Sequence, residues 1–185
     1  MTLHATGETR TARIGTVLVR AASVLLLVAA TSGCGDAGAV RPVDAAGLSG
    51  AYPSREALGR AVLRGLEADS RDSLEALLVT RAEHRELLWP QLPERNYLTF
   101  ERARLLTVRN TREGMQRALG RYGGRSFVLV RLEMSGDTEA YDGFTLHRGV
   151  RLVARDPDSG REGELEILDV LLERRGHWKL LNYEE

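Results

Sequence analysis

The spacing of apolar residues divides the chain into a helical part followed by a strand part. Between residues 54 and 122 apolar side chains recur every three or four positions, which is the period of an amphipathic helix. Thr80 and Glu83 have the spacing of a capping box, and two glycines after residue 122 end the last helical stretch. The final stretch fits either one long helix or two short ones, because Thr111 could cap a second helix. The pattern therefore predicts a layer of short helices.

From residue 126 onward the apolar period changes to two, which indicates strands. A first strand ends at Met134, and a long second strand from Phe144 to Leu152 is expected to bend at a bulge around Gly149. The C-terminal run 163–183 predicts a hairpin that turns at residues 174–176. Four strands joined by turns predict an antiparallel meander. The expected class is α+β, with N-terminal helices packed on one face of a curved antiparallel sheet of about four strands.

The strand at residues 165–172 is apolar on both of its faces. One face can cover the helices, whereas the other needs a lid or a partner, because exposed apolar patches of a few hundred Å² are uncommon. We therefore expect a homodimer or a protein partner on the outer face of the sheet.

Residues 1–33 have the layout of a secretory signal peptide. Three arginines precede the apolar run 21–30, which is too short for a transmembrane helix. Small residues follow, and then comes Cys34, the only cysteine of the chain. The exported part can therefore hold no internal disulfide.

A lone cysteine directly after Ser32 and Gly33 resembles the lipobox of bacterial lipoproteins, although Thr31 stands where that motif usually carries leucine. The resemblance implies a lipid on the Cys34 sulfur and a location in the cell envelope, outside the cytoplasm. The alternative is an ordinary signal peptide with an incidental cysteine nearby. Residues 34–53 are rich in glycine and proline and are expected to form a flexible tether, which leaves 54–185 as the folded domain.

The order of helices before strands, together with the ending Gly-His-Trp-Lys-Leu-Leu-Asn-Tyr at 176–183, resembles the nuclear transport factor 2-like superfamily, also called the cystatin-like cone. That resemblance implies a curved sheet that wraps around a helical layer and encloses a pocket. Some members are isomerases, dehydratases or polyketide cyclases that use aspartate, histidine or tyrosine in the pocket.

Asp169 and His147 are the candidate acid–base residues. Asp169 interrupts an apolar strand face, where an unpaired carboxylate would be driven toward its neutral form. Its structural alternative is an ion pair with Arg131 or Arg151. His147 is expected to face solvent, and so is His84, which lacks the neighbours of a metal ligand.

The chain has 26 basic and 26 acidic residues, so its composition does not favour nucleic acid as a partner. It contains no motif for a cofactor or metal. We expect an exported, lipid-anchored domain that binds a small apolar ligand or an envelope protein without catalysis. One alternative is a cone-fold isomerase or hydro-lyase that uses Asp169 or His147. Another is a purely structural envelope protein. A narrow pocket with Asp169 beside a tyrosine or histidine would favour the enzyme, whereas a filled apolar cone would favour the binder.

Overall fold

A computed structural model of the chain describes residues 47–184, which belong to one compact unit. The predicted signal peptide (1–33), Cys34 and the greater part of the predicted tether lie outside the described residues. Within 47–184 the class is α+β, as predicted: four helices pack with two antiparallel sheets that do not close into a barrel.

The capping box predicted at Thr80 and Glu83 and the helix end predicted after residue 122 are both observed. In chain order the helices are α1 (Arg55–Glu67), α2 (Arg71–Glu75), α3 (Arg81–Glu83), which continues as a π-helical turn over His84–Leu88, a 3-10 turn (Pro93–Asn96) and α4 (Phe100–Tyr122). The Ser54 hydroxyl accepts a hydrogen bond from the Ala57 amide at the start of α1, and Thr80 and Glu83 form the predicted capping box. Of the two possibilities for 100–122, the single long helix is the observed one.

Seven strands form the two sheets. They are β1 (Val128–Met134), β2 (Thr138–Tyr141), β3 (Phe144–Arg148), β4 (Val150–Arg155), β5 (Glu162–Leu165), β6 (Leu168–Arg174) and β7 (His177–Tyr183). The three-stranded sheet has the order β1-β4-β5, and the four-stranded sheet has the order β2-β3-β6-β7. All pairs are antiparallel. The sequence predicted about four strands because it missed β2 and treated two segments as continuous that the structure divides.

The first division is at Gly149, where the expected bulge is a complete crossing between sheets. Gly149 has φ +61°, and a Cβ at this position would lie 2.9 Å from the Gly136 backbone. Only a residue without a side chain fits this close approach in that conformation. The chain leaves the four-stranded sheet after Arg148 and joins the three-stranded sheet at Val150. The predicted strand 144–152 is therefore β3 followed by β4.

The second division lies between β5 and β6, where a turn at residues 166–167 carries the chain back to the four-stranded sheet. The predicted C-terminal hairpin is confirmed as β6 and β7. Its two-residue loop consists of Arg175 and Gly176, with φ of 51° and 76°. Positive φ at both loop positions matches the twist of the flanking strands.

The four-stranded sheet is covered on both faces by this chain. On one face lies the main core, built from α1, α2, the C-terminal half of α4 and strand residues such as Leu171 and Leu180. On the other face Leu48, Val79 and Leu88 pack with Leu146, Val170 and Leu172 in a second core. The exposed apolar face that motivated the predicted homodimer is thus occupied by the chain itself. Contact with a partner remains a prediction, but an exposed apolar sheet face no longer supports it.

The folded part begins earlier than the predicted boundary at residue 54. Leu48 is fully buried, and the Tyr52 amide donates to the Trp178 carbonyl at 2.9 Å. Residues 47–53 therefore pack against β7 instead of continuing the tether. The sequence did not reveal this packing, because a single large aliphatic residue, Leu48, among glycines shows no apolar periodicity.

Candidate functional site

A cavity of about 260 Å³ lies between the N-terminal half of α4, the π-helical turn and the four-stranded sheet. We call it the α4 cavity. Its walls are mainly apolar, and the aliphatic side chains that line them include Leu92, Leu98, Leu106, Leu146, Val170 and Leu181. Its polar lining residues include His84, Glu94 and Asn182. A concave apolar site with a few polar groups is the usual form of a small-molecule site.

His84 is buried in this wall, with 3% of its surface exposed. The sequence prediction of a solvated imidazole is therefore wrong. The wide π-helical turn, closed by the Trp89 amide on the His84 carbonyl at 2.8 Å, places the ring against α4. The rings of His84 and Phe100 pack edge to face, with 5.5 Å between their centroids. Burial and then the Arg104 charge lower the pKa of His84 to about 4, so the ring is neutral near pH 7.

Asn182 is oriented by Asp169. The Asn182 Nδ2 atom donates to the Asp169 Oδ2 atom at 2.5 Å. Because an ionised carboxylate only accepts hydrogen bonds, this contact fixes which end of the amide is the nitrogen. The Asn182 Oδ1 atom is buried and has no hydrogen-bond partner among the described residues.

Two further residues that line the α4 cavity carry a buried polar atom without a hydrogen-bond partner among the described residues. These atoms are His84 Nδ1 and Glu94 Oε2. A buried polar atom without a partner costs about 1–3 kcal/mol, and native structures contain few of them. The described residues contain four such side-chain atoms, and three belong to residues that line this one cavity.

Asp169 and His147 are not brought together. Asp169 touches Asn182 but is not among the lining residues, and neither predicted arginine pairs with it. Arg131 pairs with Glu133, and Arg151 with Glu164.

His147 projects from the opposite side of β3, because its neighbours Leu146 and Arg148 line the α4 cavity. The His147 Nε2 atom lies 2.9 Å from the Glu173 Oε2 atom, and its ring centroid lies 5.0 Å from that of Trp178. Its side chain is only 11% exposed, so the expectation that it faces solvent is wrong. The cross-strand neighbours Glu173 and Trp178 enclose it, and their proximity depends on a register that the sequence does not reveal.

A buried charge cluster next to the α4 cavity was missed by the sequence reasoning. Lys179, the only lysine of the chain, is 1% exposed, and its Nζ atom lies 2.9 Å from both the Glu83 Oε2 atom and the Ser49 carbonyl oxygen. Glu83 also accepts hydrogen bonds from the amides of Thr80 and Ser49. Burial alone would raise the pKa of Glu83, but Lys179 and these two amides together hold it below its usual value. These contacts hold Glu83, the residue that precedes His84, in place.

No protein-family model matches this chain, and no curated protein or solved structure matches it. The cone superfamily remains a prediction from element order. Across residues 47–184 no helix is long and apolar enough to cross a membrane. In the same range no three histidine, cysteine, aspartate or glutamate side chains are grouped so that they could hold a metal ion.

Proposed function

We propose that this domain binds a small, largely apolar ligand that carries hydrogen-bond donors, and that it holds this ligand in the α4 cavity without transforming it. The observation that carries the proposal is the set of three unpaired, buried polar atoms on His84, Glu94 and Asn182 around one apolar cavity. A ligand that donates to them would recover part of the free energy that their burial costs.

The size of the cavity limits the ligand. Drug-sized molecules occupy sites of roughly 300–1,000 Å³. A cavity of about 260 Å³ favours something smaller, on the scale of one ring with a short substituent. The apolar walls would supply most of the affinity, and the polar atoms would set the orientation.

The polar atoms favour a donor on the ligand. Asn182 offers its carbonyl oxygen, since its nitrogen is held by Asp169. Glu94 offers a side-chain carboxyl oxygen as a hydrogen-bond acceptor. The neutral ring of His84 can accept or donate at Nδ1, depending on its tautomer. A hydroxyl or amine therefore suits the site better than a group that only accepts.

The absence of catalysis is supported by the position of the acid–base candidates. His147 faces away from the α4 cavity, and Asp169 is used to orient Asn182. His84 does line the cavity, but its pKa of about 4 makes it a weak base near neutral pH. A general base works best when its pKa lies near the working pH.

We further propose that the domain works in the cell envelope, anchored through a lipid on Cys34. The sequence before the folded unit supports this location. The ligand would then be a compound present outside the cytoplasm.

The test uses benzyl alcohol and benzylamine as donor probes, with toluene and benzaldehyde as probes without a strong donor. Binding to the full chain is followed by amide chemical shifts. Leu106→Trp should fill the α4 cavity and weaken binding of the donor probes at least about tenfold, which is 1.4 kcal/mol. Leu105→Trp is the matched control, because the neighbouring Leu105 is 69% exposed and does not line the cavity.

Two results would overturn the proposal. One is the absence of saturable shifts at the lining residues with any probe. The other is equal weakening by the two tryptophan variants. Conversion of a probe with loss of activity in His147→Gln would instead support the acid–base enzyme, whose one structural support is the His147–Glu173 contact.

A further inference from the structure

A second cavity, of about 310 Å³, lies against an adjacent face of α4. Residues 103, 106, 107 and 110 of the helix face the α4 cavity, whereas Arg104, Val108, Thr111, Arg112 and Met115 line the second one. We call it the Arg104 cavity. Its opposite wall is formed by residues 75–80, and Leu181 borders both cavities.

Arg104 is half-buried and has no carboxylate partner among the described residues. The nearby carboxylate of Glu101 is shared by Arg81 and Arg85. Burial and then the Arg81 charge lower the pKa of Arg104 below its ordinary value, although an arginine stays charged. A buried charge without a counter-charge is unfavourable, so an anion bound beside Arg104 would be stabilised.

Four other polar residues line the same cavity, namely Glu75, Thr80, Thr111 and Arg112. Thr111 is 6% exposed, and its hydroxyl has no hydrogen-bond partner within the described residues. Arg112 is exposed on the next position of α4. The acidic residue in the lining is Glu75, which is 3.0 Å from Arg71 and thus already paired. The lining therefore has two arginines whose charges are not neutralised locally.

Apart from Thr80, the remaining lining is apolar and includes Val79, Val108, Met115 and Leu181. We infer that the Arg104 cavity binds a small organic carboxylate, whose anionic group pairs with Arg104 and Thr111 and whose hydrocarbon part lies on this apolar floor. Arginine matches a carboxylate through two parallel hydrogen bonds, and the hydroxyl donates to the same group. This inference does not rest on the proposed function of the α4 cavity.

The experiment titrates the full chain with hexanoate at constant ionic strength. Amide and guanidinium shifts of Val79, Thr111 and Arg104 report on binding. Arg104→Gln should weaken binding about 10- to 100-fold, the range for a lost charge-assisted hydrogen bond. Arg102→Gln, also on α4 but exposed and outside the cavity lining, should change binding less than about twofold.

Thr111→Val tests the hydroxyl without changing the shape of the side chain much. It should weaken hexanoate binding about 3- to 10-fold and raise the stability of the ligand-free protein, because an unpaired buried hydroxyl is removed. A purely structural role of Thr111 would give the opposite change in stability.

Acetate, inorganic phosphate and hexanol separate the contributions of the ligand. Hexanoate should bind most tightly of the four. Equal binding of hexanol would overturn the role of the charge, and equal binding of phosphate or acetate would overturn the role of the apolar floor. Equal loss in Arg102→Gln and Arg104→Gln would also overturn the site. Benzyl alcohol binding should survive Arg104→Gln, so failure here is distinguishable from failure of the α4 cavity.

Discussion

The Lys179 Nζ atom lies 2.9 Å from the Glu83 Oε2 atom, and both residues are buried. The pair joins β7 to the last residue of α3, and the Lys179 bond to the Ser49 carbonyl adds the segment before α1. Three parts of the chain that are far apart in sequence therefore meet at one charge pair. Its geometry also sets the position of His84, which follows Glu83 directly.

Replacing one member of this pair should be strongly destabilising. Lys179→Met would leave the Glu83 carboxylate buried without its cation, and loss of one partner of a buried pair costs about 3–5 kcal/mol. The double variant Lys179→Met with Glu83→Leu removes both charges and should recover part of that loss. Urea denaturation at pH 7 measures both.

An exposed pair on α4 is the control for these variants. Arg109 lies 3.0 Å from Glu113 at the surface, and Arg109→Met should cost only about 0.3–0.5 kcal/mol. If Lys179→Met lowered the free energy of unfolding no more than Arg109→Met does, the buried pair would not stabilise the contact between β7 and α3.

Acid should weaken the same cluster at low pH. The pKa of Glu83 is lower in the folded state than in the unfolded state, so the unfolded state binds more protons as the pH falls. The contribution of Glu83 is therefore complete above its unfolded pKa of about 4.3 and is lost as the pH falls through the folded value. The stability difference between wild type and Glu83→Gln should shrink below pH 4. A constant difference from pH 7 to pH 3 would contradict this.

The lowered pKa of His84 should cause a separate loss of stability at milder acidity. Its folded pKa of about 4 lies below the unfolded value of about 6.5, so between these values the unfolded state is the one that takes up a proton. Stability therefore falls as the pH drops from about 6.5 to 4. The contribution of this residue between pH 7 and pH 5 is about 1–2 kcal/mol.

Urea midpoints of wild type and His84→Leu at pH 7 and pH 5 measure this effect. The variant should lose less stability on acidification than wild type. His177→Asn, at the hairpin turn, should keep the wild-type response. Equal slopes for wild type and His84→Leu would show that His84 is not the group responsible.

The sequence predicted those parts of the fold that depend on local chemistry. The Thr80–Glu83 capping box, the end of α4 at Gly123 and the turn at Arg175 and Gly176 each follow from residues close together in the chain. Such features need no knowledge of tertiary contacts.

The features that the sequence missed depend on partners far along the chain. β2 is a short strand whose four residues alternate only weakly between polar and apolar side chains. β3 and β4 were predicted as one strand because the alternation of apolar and polar residues continues across Gly149. The orientation of His84 follows from the packing of α4. Asp169 does interrupt an apolar pattern in the sequence, but it does not line the α4 cavity and only contacts Asn182, which does.

The lipid on Cys34 can be tested by mass. We expect the N-terminus of the protein, produced in a bacterium that processes lipoproteins, to begin at Cys34 and to carry a diacylglycerol. Two or more acyl chains would hold the domain in the membrane fraction far better than one. Cys34→Ser should leave that fraction. An unmodified Cys34, or a Cys34→Ser protein that stays with the membrane, would contradict the anchor.

Two glycines of α4 should respond in opposite ways to alanine, because their surroundings differ. A Cβ at Gly114 would lie 3.0 Å from both the Glu184 carbonyl carbon and the Tyr183 Cβ atom, whereas a Cβ at Gly120 would meet nothing within 4 Å. In an open helix position, alanine is more stable than glycine by about 0.5–1 kcal/mol. Gly120→Ala should therefore raise stability by about that amount.

Gly114→Ala gains the same helix propensity but forces α4 away from the end of β7. Overpacking of this kind typically costs about 1–3 kcal/mol, which exceeds the gain, so the net change should be destabilising. Thermal and urea denaturation of the two variants give the comparison, with Gly120→Ala as the control for propensity. Stabilisation by both substitutions would mean that α4 does not lie as close to the backbone at Tyr183 and Glu184 as described. That spacing matters because α4 forms one wall of each cavity, and Leu181 of the same strand borders both.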